Sequence, residues 1–235
     1  MTRMRNAFRL GCVVLVVFFT VTSFAPPAHA DKVIYLTFDM DMNGFMFQKT
    51  QKTAEQWYDS ALFTYLEQNN IPATFFVSGL FAVAYPDLIK NLATDDNFSF
   101  QNHSYDESSF TPNCYWLKTL DTDDEKEMQI SETEAVLKED TGQTATYFRF
   151  PGVCRDAQNI ALVKSLGYTI NDGTVISGDP FNKNTDAIVD AVLDGATSSA
   201  SVIMHVGGPN APESLAALQK IVPKLKAEGY EFEKL

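Results

Sequence analysis

From Val33 to Phe232, short apolar runs alternate about seven times with longer amphipathic segments. That rhythm restricts the fold more than any other property of the chain. The runs at 33–38, 73–77, 98–103, 147–151, 168–171, 174–177 and 201–205, with a last one at 230–232, read as strands. Helical patterns occupy 53–68, 80–93, 122–139, 157–166, a stretch from 184, and 215–225. Strands joined through helices pair in parallel, so a single α/β domain is expected, either a parallel-stranded barrel or a doubly wound sheet. In both, chemistry gathers beyond the carboxyl ends of the strands.

Local signals support the division. Thr122-Asp-Asp-Glu125 is a capping box whose acids suit the positive end of the helix dipole, and Gly142 closes that helix. Asn184 caps a helix carrying Ile188, Ala191 and Val192 on one face. Asn69-Asn70 ends the helix over 53–68, whose buried side is expected from Trp57, Ala61, Phe63, Tyr65 and Leu66, and Pro86 breaks the one over 80–93. The passage 40–52 is polar and Met-rich, with no regular period.

The first 30 residues read as a signal peptide. Arg3, Arg5 and Arg9 precede an apolar run over 10–24, and Ala28-His29-Ala30 offers a small-x-small cleavage site. Cleavage leaves one domain, 31–235, exported to the periplasm, the cell envelope or the outside, with no stable membrane anchor. Losing three arginines moves the net charge from −12 to −15, which argues against nucleic acid and anionic membranes and suits a neutral or cationic substrate. Cys12 leaves with the leader. The remaining pair, Cys114 and Cys154, most simply forms a disulfide in an exported chain. The other reading, thiolate metal ligands, lacks a neighbouring Cys or His at zinc-site spacing.

The strand ends carry a distinctive set of side chains. Asp39 and Asp41 follow the first strand, and His103, Arg149, Asp179 and His205 end later ones. His103 and His205 are the only histidines after the leader, and each terminates a strand. In a barrel these ends share one face, so residues distant in sequence converge. The set suits metal-assisted hydrolysis. A divalent ion held by carboxylate and imidazole polarises a carbonyl, a second carboxylate takes a proton from water, and a histidine protonates the leaving group.

Thr37-Phe-Asp39 with Asp41, Asn102-His103-Ser104-Tyr105, Arg149-Phe-Pro151-Gly152, Ser177-Gly-Asp179 and Ile203-Met-His205 follow one another as motifs. Their order resembles the polysaccharide deacetylases, the NodB-homology domain of carbohydrate esterase family 4. The resemblance spans nearly all of 33–232. It implies a distorted (β/α)7 barrel and an enzyme that removes N-acetyl groups from amino-sugar polysaccharides or oligosaccharides. It also implies a divalent metal, zinc foremost with other divalent ions admitted. By the same resemblance Asp39 is the catalytic base, His205 the general acid, Arg149 the residue positioning the base, and Asp179 the partner of the acid. His103 is a metal ligand, and Leu36, Phe150 and Met204 are strand core.

Two positions depart from the family pattern. The metal-binding aspartate normally adjoins the base, but Met40 stands there and Asp41 comes one residue later. The second motif normally ends in histidine, and this chain has Glu107. Glu107 is either a third ligand beside Asp41 and His103, favouring harder ions, or a solvated acid beside a weakened metal site. The second case opens an alternative function, a metal-impaired barrel that binds carbohydrate or serves the cell envelope. Tyr105, Tyr115 and Trp116, on the loop over 104–121, are candidates to stack on a sugar ring.

Overall fold

The computed structural model describes residues 32–235. The expected leader over 1–30 lies outside the described residues. The chain opens with β1 (Val33–Met40), followed by α1 (Gly44–Thr53), α2 (Ser60–Gln68) and β2 (Ala73–Val77). Next come α3 (Gly79–Ala84), α4 (Pro86–Leu92), β3 (Phe98–Asn102), α5 (Asp123–Thr141) and β4 (Tyr147–Phe148). The remainder is α6 (Ala157–Ser165), β5 (Thr169–Ile170), β6 (Val175–Ile176), α7 (Thr185–Gly195), β7 (Ala200–His205), α8 (Ser214–Ala227) and β8 (Glu231–Glu233). No helix among the described residues is long and apolar enough to cross a membrane.

The strands lie in the order β5-β4-β3-β2-β1-β7-β6, with β8 added against the start of β1, and every pairing is parallel. This is the curled parallel sheet of a distorted (β/α)7 barrel. No ladder joins β5 to β6 among the described residues. The side chain of Asn171 crosses that gap, its Oδ1 accepting from Gly173 N at 3.2 Å and Ser201 Oγ at 2.9 Å.

Strand periodicity sorts β1 into two faces. Ile34, Leu36, Phe38 and Met40 are fully buried and join α2 and α8 side chains such as Leu62, Leu66, Leu218 and Ile221 in the main apolar core. Thr37 and Asp39 face inward instead. The barrel interior is unusually polar for this architecture, whose central layers are generally branched apolar residues. Here Thr37 Oγ1 donates to Val202 O at 2.7 Å, Ser99 Oγ donates to Thr74 Oγ1 at 3.0 Å, and Arg149 is fully buried among them.

The capping box of α5 forms as read, and Gly142 closes that helix in the left-handed conformation, φ 69°, which a glycine adopts without strain. Cys114 and Cys154 are bonded across a separation of 40 residues, pinning the long loop beside the end of β4.

Several local readings are corrected. The irregular passage 40–52 contains α1, because Asn43 Oδ1 accepts from the amides of Phe45 and Met46 and starts a helix. The helix expected over 53–68 begins only at Ser60: Ala54 turns left-handed after α1, and Asp59 caps α2. Trp57 is therefore buried from the connecting segment, its Nε1 donating to Met46 O at 3.1 Å, and Ala61 is exposed. The fourth strand is only two residues long, since the chain turns into a 3-10 segment at Pro151–Val153. Ala191 is also exposed, with Val189 taking its place on the inner face of α7.

Candidate active site

Register brings the strand ends level. Asp39 pairs with His205 of β7 and with Phe76 of β2, while Asn102 of β3 pairs with Phe148, placing His103 and Arg149 side by side. All seven residues singled out in the sequence, Asp39, Asp41, His103, Glu107, Arg149, Asp179 and His205, meet at one cleft or directly beneath it. Asp39 and Asp41 are two residues apart and so face the same side, whereas Met40 between them sits in the core. The displaced aspartate is thus compatible with the cleft because of strand alternation.

At one side, Arg149 Nη1 donates to Asp39 Oδ1 at 2.5 Å. The guanidinium is itself fixed: Nη2 donates to Thr37 Oγ1 at 2.7 Å and Asn171 Oδ1 at 3.0 Å, and Nε donates to Asn171 O at 2.9 Å. Its face lies 3.9 Å from the Phe76 ring centroid, a cation–π contact. Asp39 Oδ2 remains directed into the cleft, 3.9 Å from His103 Nε2.

At the other side, Asp179 collects hydrogen bonds on both oxygens. Ser177 Oγ and His205 Nδ1 reach Oδ1, each at 2.8 Å, and His205 N and Ser214 Oγ reach Oδ2 at 2.8 and 2.5 Å. Burial opposes ionisation of Asp179, but the His205 charge and these donors outweigh it and hold its pKa low. Burial likewise opposes the charged form of His205, yet Asp179 and Asp41 drive its pKa well up. Because Nδ1–H is committed to Asp179, Nε2 points at Asp41 Oδ2, 3.3 Å away.

Between these two sides lie Asp41, His103 and Glu107. His103 Nδ1 sits 2.9 Å from Arg149 O, and a carbonyl can only accept, so Nε2 turns inward and, in the neutral ring, is the nitrogen that carries the lone pair. Asp41 Oδ1 lies 3.4 Å from that nitrogen and Glu107 Oε1 3.7 Å. Both oxygens are buried without a hydrogen-bond partner. Glu107 reaches inward from a backbone with φ 63°, a left-handed conformation costly for a non-glycine residue. The reading in which Glu107 points to solvent is overturned: it is 6 % exposed.

The electrostatics match this crowding. Burial disfavours a charged His103, but Glu107, Asp39 and Asp41 together push its pKa up to about 10. Burial, reinforced by Asp41, holds the Glu107 carboxyl well above the ordinary carboxylate range. For Asp41, burial is outweighed by His205 and His103, so its pKa falls. Two carboxylates and an imidazole with convergent lone pairs call for a cation. Ligand atoms about 2.0–2.1 Å from a tetrahedral zinc ion are roughly 3.3 Å from one another; the two spacings to His103 Nε2 are 3.4 and 3.7 Å, and all three donor atoms lie within 4.8 Å of one another. The three donor atoms fit a divalent ion.

The cleft above this set, about 220 Å³, is bordered by Tyr115, Trp116 and Phe181. Tyr105, by contrast, is half-buried and packs on Gly79 and Thr133 away from it. The order of motifs and this geometry agree with the comparison to known proteins: the model of the polysaccharide deacetylase family matches residues 27–171, more than half of the chain. The chain belongs to the polysaccharide deacetylase family. The peptidoglycan-N-acetylglucosamine deacetylase PgdA of Listeria monocytogenes is 28% identical over 207 residues, 88% of this chain and 39% of that protein. The chain therefore spans about two fifths of that relative's length. A family 4 carbohydrate esterase from Streptomyces lividans, solved with acetate, is 26% identical and superposes with a TM-score of 0.69 over 87% of this chain and 93% of that one. A family 4 acetyl xylan esterase from Clostridium thermocellum, solved with a cobalt ion, shares the fold at 22% identity and a TM-score of 0.68, covering 86% and 88% of the two chains.

Several residues of the site were not singled out from sequence. Thr37 and Ser214 are anchors for Arg149 and Asp179, and Asn210 Nδ2 reaches Asp41 Oδ2 at 3.4 Å. Asn171 holds Arg149 and reaches Ser201 across the gap in the sheet; its place at the end of a strand, before Asp172-Gly173, was the available signal.

Proposed function

We propose that this protein is an exported, metal-dependent hydrolase that removes N-acetyl groups from an amino-sugar polysaccharide or oligosaccharide. The observation that carries the reading is the pair of unpartnered buried oxygens, Asp41 Oδ1 and Glu107 Oε1, facing His103 Nε2 between a carboxylate on one side and a histidine on the other. Asp41, His103 and Glu107 would hold the divalent ion, zinc being the first candidate. When bound, that ion supplies Lewis acidity to the acetyl carbonyl and to the attacking water.

The chain's own residues supply the proton steps. Asp39, clamped through Oδ1 by Arg149, keeps Oδ2 free to take a proton from water as the general base. His205 presents Nε2–H to the sugar nitrogen and donates its proton as the C–N bond breaks, while Asp179 holds the imidazole in that orientation through Nδ1–H. The products are acetate and a free amine. Support from kinship comes from PgdA of Listeria monocytogenes, named for acting on N-acetylglucosamine of peptidoglycan. The alternative, a carbohydrate-binding barrel with an impaired metal site, loses its main motive once Glu107 is buried and aimed at His103.

Incubation with a β-1,4-linked N-acetylglucosamine oligomer tests the reading. Acetate and primary amine should appear in equal amounts with the wild type, and neither with Asp39→Asn. Oligomer that binds and is recovered fully acetylated would favour the binding protein instead.

A further inference from the structure

Two of the four residues that follow His103 are left-handed, Ser104 at φ 67° and Glu107 at φ 63°. Neither is a glycine or an asparagine, so each conformation costs free energy that the surroundings must offset. Glu107 Oε1 has no hydrogen-bond partner, so it is the backbone that aims this oxygen at His103.

One side chain outside the cleft holds that backbone. Gln129, on the buried face of α5, presents Oε1 to three donors: Ser104 Oγ at 2.8 Å, Tyr105 N at 2.8 Å and Asp106 N at 3.1 Å. Backbone amides only donate, so the oxygen of Gln129, and not its nitrogen, occupies this place. All three donors belong to Ser104, Tyr105 and Asp106, the run that ends at Glu107.

The same helix grips the rest of the stretch. Thr133, one turn beyond Gln129, donates Oγ1 to Ser104 O at 2.7 Å. Ile130 O accepts from Asn102 Nδ2 at 2.9 Å, and Asn102 Oδ1 accepts from Ser104 N at 3.0 Å. Side chains thus satisfy the amides of Ser104, Tyr105 and Asp106, which lie past the end of β3. Gln129 is the side chain that takes the amides of both residues immediately before Glu107. It is buried and does not border the cleft, so it meets neither substrate nor ion.

Resting on the reading of Glu107 as a ligand, we propose that Gln129 is a positioning residue for the metal site. Its Oε1 fixes the turn over 104–106 and thereby aims Glu107 at the ion shared with Asp41 and His103. A ligand set in place before the ion arrives binds it more tightly, because less ordering cost remains. Groups that orient ligands from behind typically contribute about 10–100-fold to metal affinity.

The test reads zinc affinity in the absence of substrate. The full chain is stripped with chelator and titrated with zinc against a chromophoric competitor. Gln129→Met, similar in size but lacking the acceptor, should weaken zinc binding about ten-fold. Gln129→Glu keeps an acceptor for all three donors and should stay within about three-fold of wild type. A double-mutant cycle separates aiming from general loosening: with Glu107→Ala already in place, Gln129→Met should weaken zinc less than about two-fold. Once zinc saturates, acetate release by Gln129→Met should return close to the wild-type rate, since the residue sets affinity and takes no part in the proton steps. Thermal midpoints identify folded variants. If Gln129→Met does not fold, Gln129→Asn, whose amide is drawn back by one methylene, is read by the same criteria. Wild-type zinc affinity in the folded variant, or an equal loss with and without Glu107, overturns the positioning role. Acetate release by the wild type distinguishes the two readings. Its absence alongside an intact coupling to Glu107 overturns the deacetylase and leaves the positioning role, whereas release without that coupling does the reverse.

Discussion

Asp179 and Glu107 are both buried carboxylates at the same cleft, yet they are treated in opposite ways. Four donors saturate Asp179, two of them the backbone N and Nδ1 of its neighbour His205. Glu107 reaches the cleft from a strained backbone and leaves Oε1 without a partner, as Asp41 leaves Oδ1. A buried polar atom left unpaired costs about 1–3 kcal/mol. The contrast separates scaffold from receptacle. The saturated region is complete as it stands and fixes a histidine in one orientation. The unsaturated region is completed by a ligand that accepts lone pairs, and a divalent cation is the ligand its donors suit.

This division predicts that variants of the flanking residues Asp39 and Asp179 lose turnover while keeping metal, and variants of Glu107 lose metal first. Asp39→Asn should lower acetate release by about 10³-fold, within the range for a general base, with bound metal unchanged by elemental analysis. Asp179→Asn should cost about 10²-fold, because the amide lacks the charge that favours protonated His205 and its NH2 cannot accept from the donors that reach one of the two oxygens. Metal retained in both, with turnover intact, would break the assignment of these two flanking residues. Glu107→Gln removes one charge from the receptacle and should weaken metal affinity about ten-fold, a change of roughly 1.4 kcal/mol. Its turnover should recover as metal is added in excess, measured by titration against acetate release. The smallest effect is expected for Glu107→His, which keeps a donor at the same place. It should shift preference toward zinc over harder ions by a few-fold in competition binding.

Much of this was legible in the sequence because strands of a parallel barrel end on one face. Asp39, His103, Arg149 and His205 stand at the ends of apolar runs, and the fold brings any such residues together. Asp41 was named as a ligand from the sequence, and the physical reason it faces the cleft is that alternation continues past Met40. Glu107 was named as a candidate ligand, but its direction was not legible, since it depends on a left-handed backbone within a long loop that has no period to read. Asn171 and Ser214 escaped for a different reason. They act by holding other residues, and nothing local distinguishes an anchoring amide or hydroxyl from a solvated one. The break between α1 and α2 was hidden because Trp57 fits a helical stripe yet is buried by a hydrogen bond from a connecting segment. Phe181 escaped because it meets Tyr115 only across the cleft.

The central claim is that Asp41, His103 and Glu107 hold an ion on which the reaction depends. Acetate release by chelator-stripped protein, followed as zinc is returned stepwise, tests it most directly. The account predicts negligible release from the stripped protein and recovery that saturates at one ion per chain. Full turnover by protein shown by elemental analysis to be free of divalent metal would contradict it.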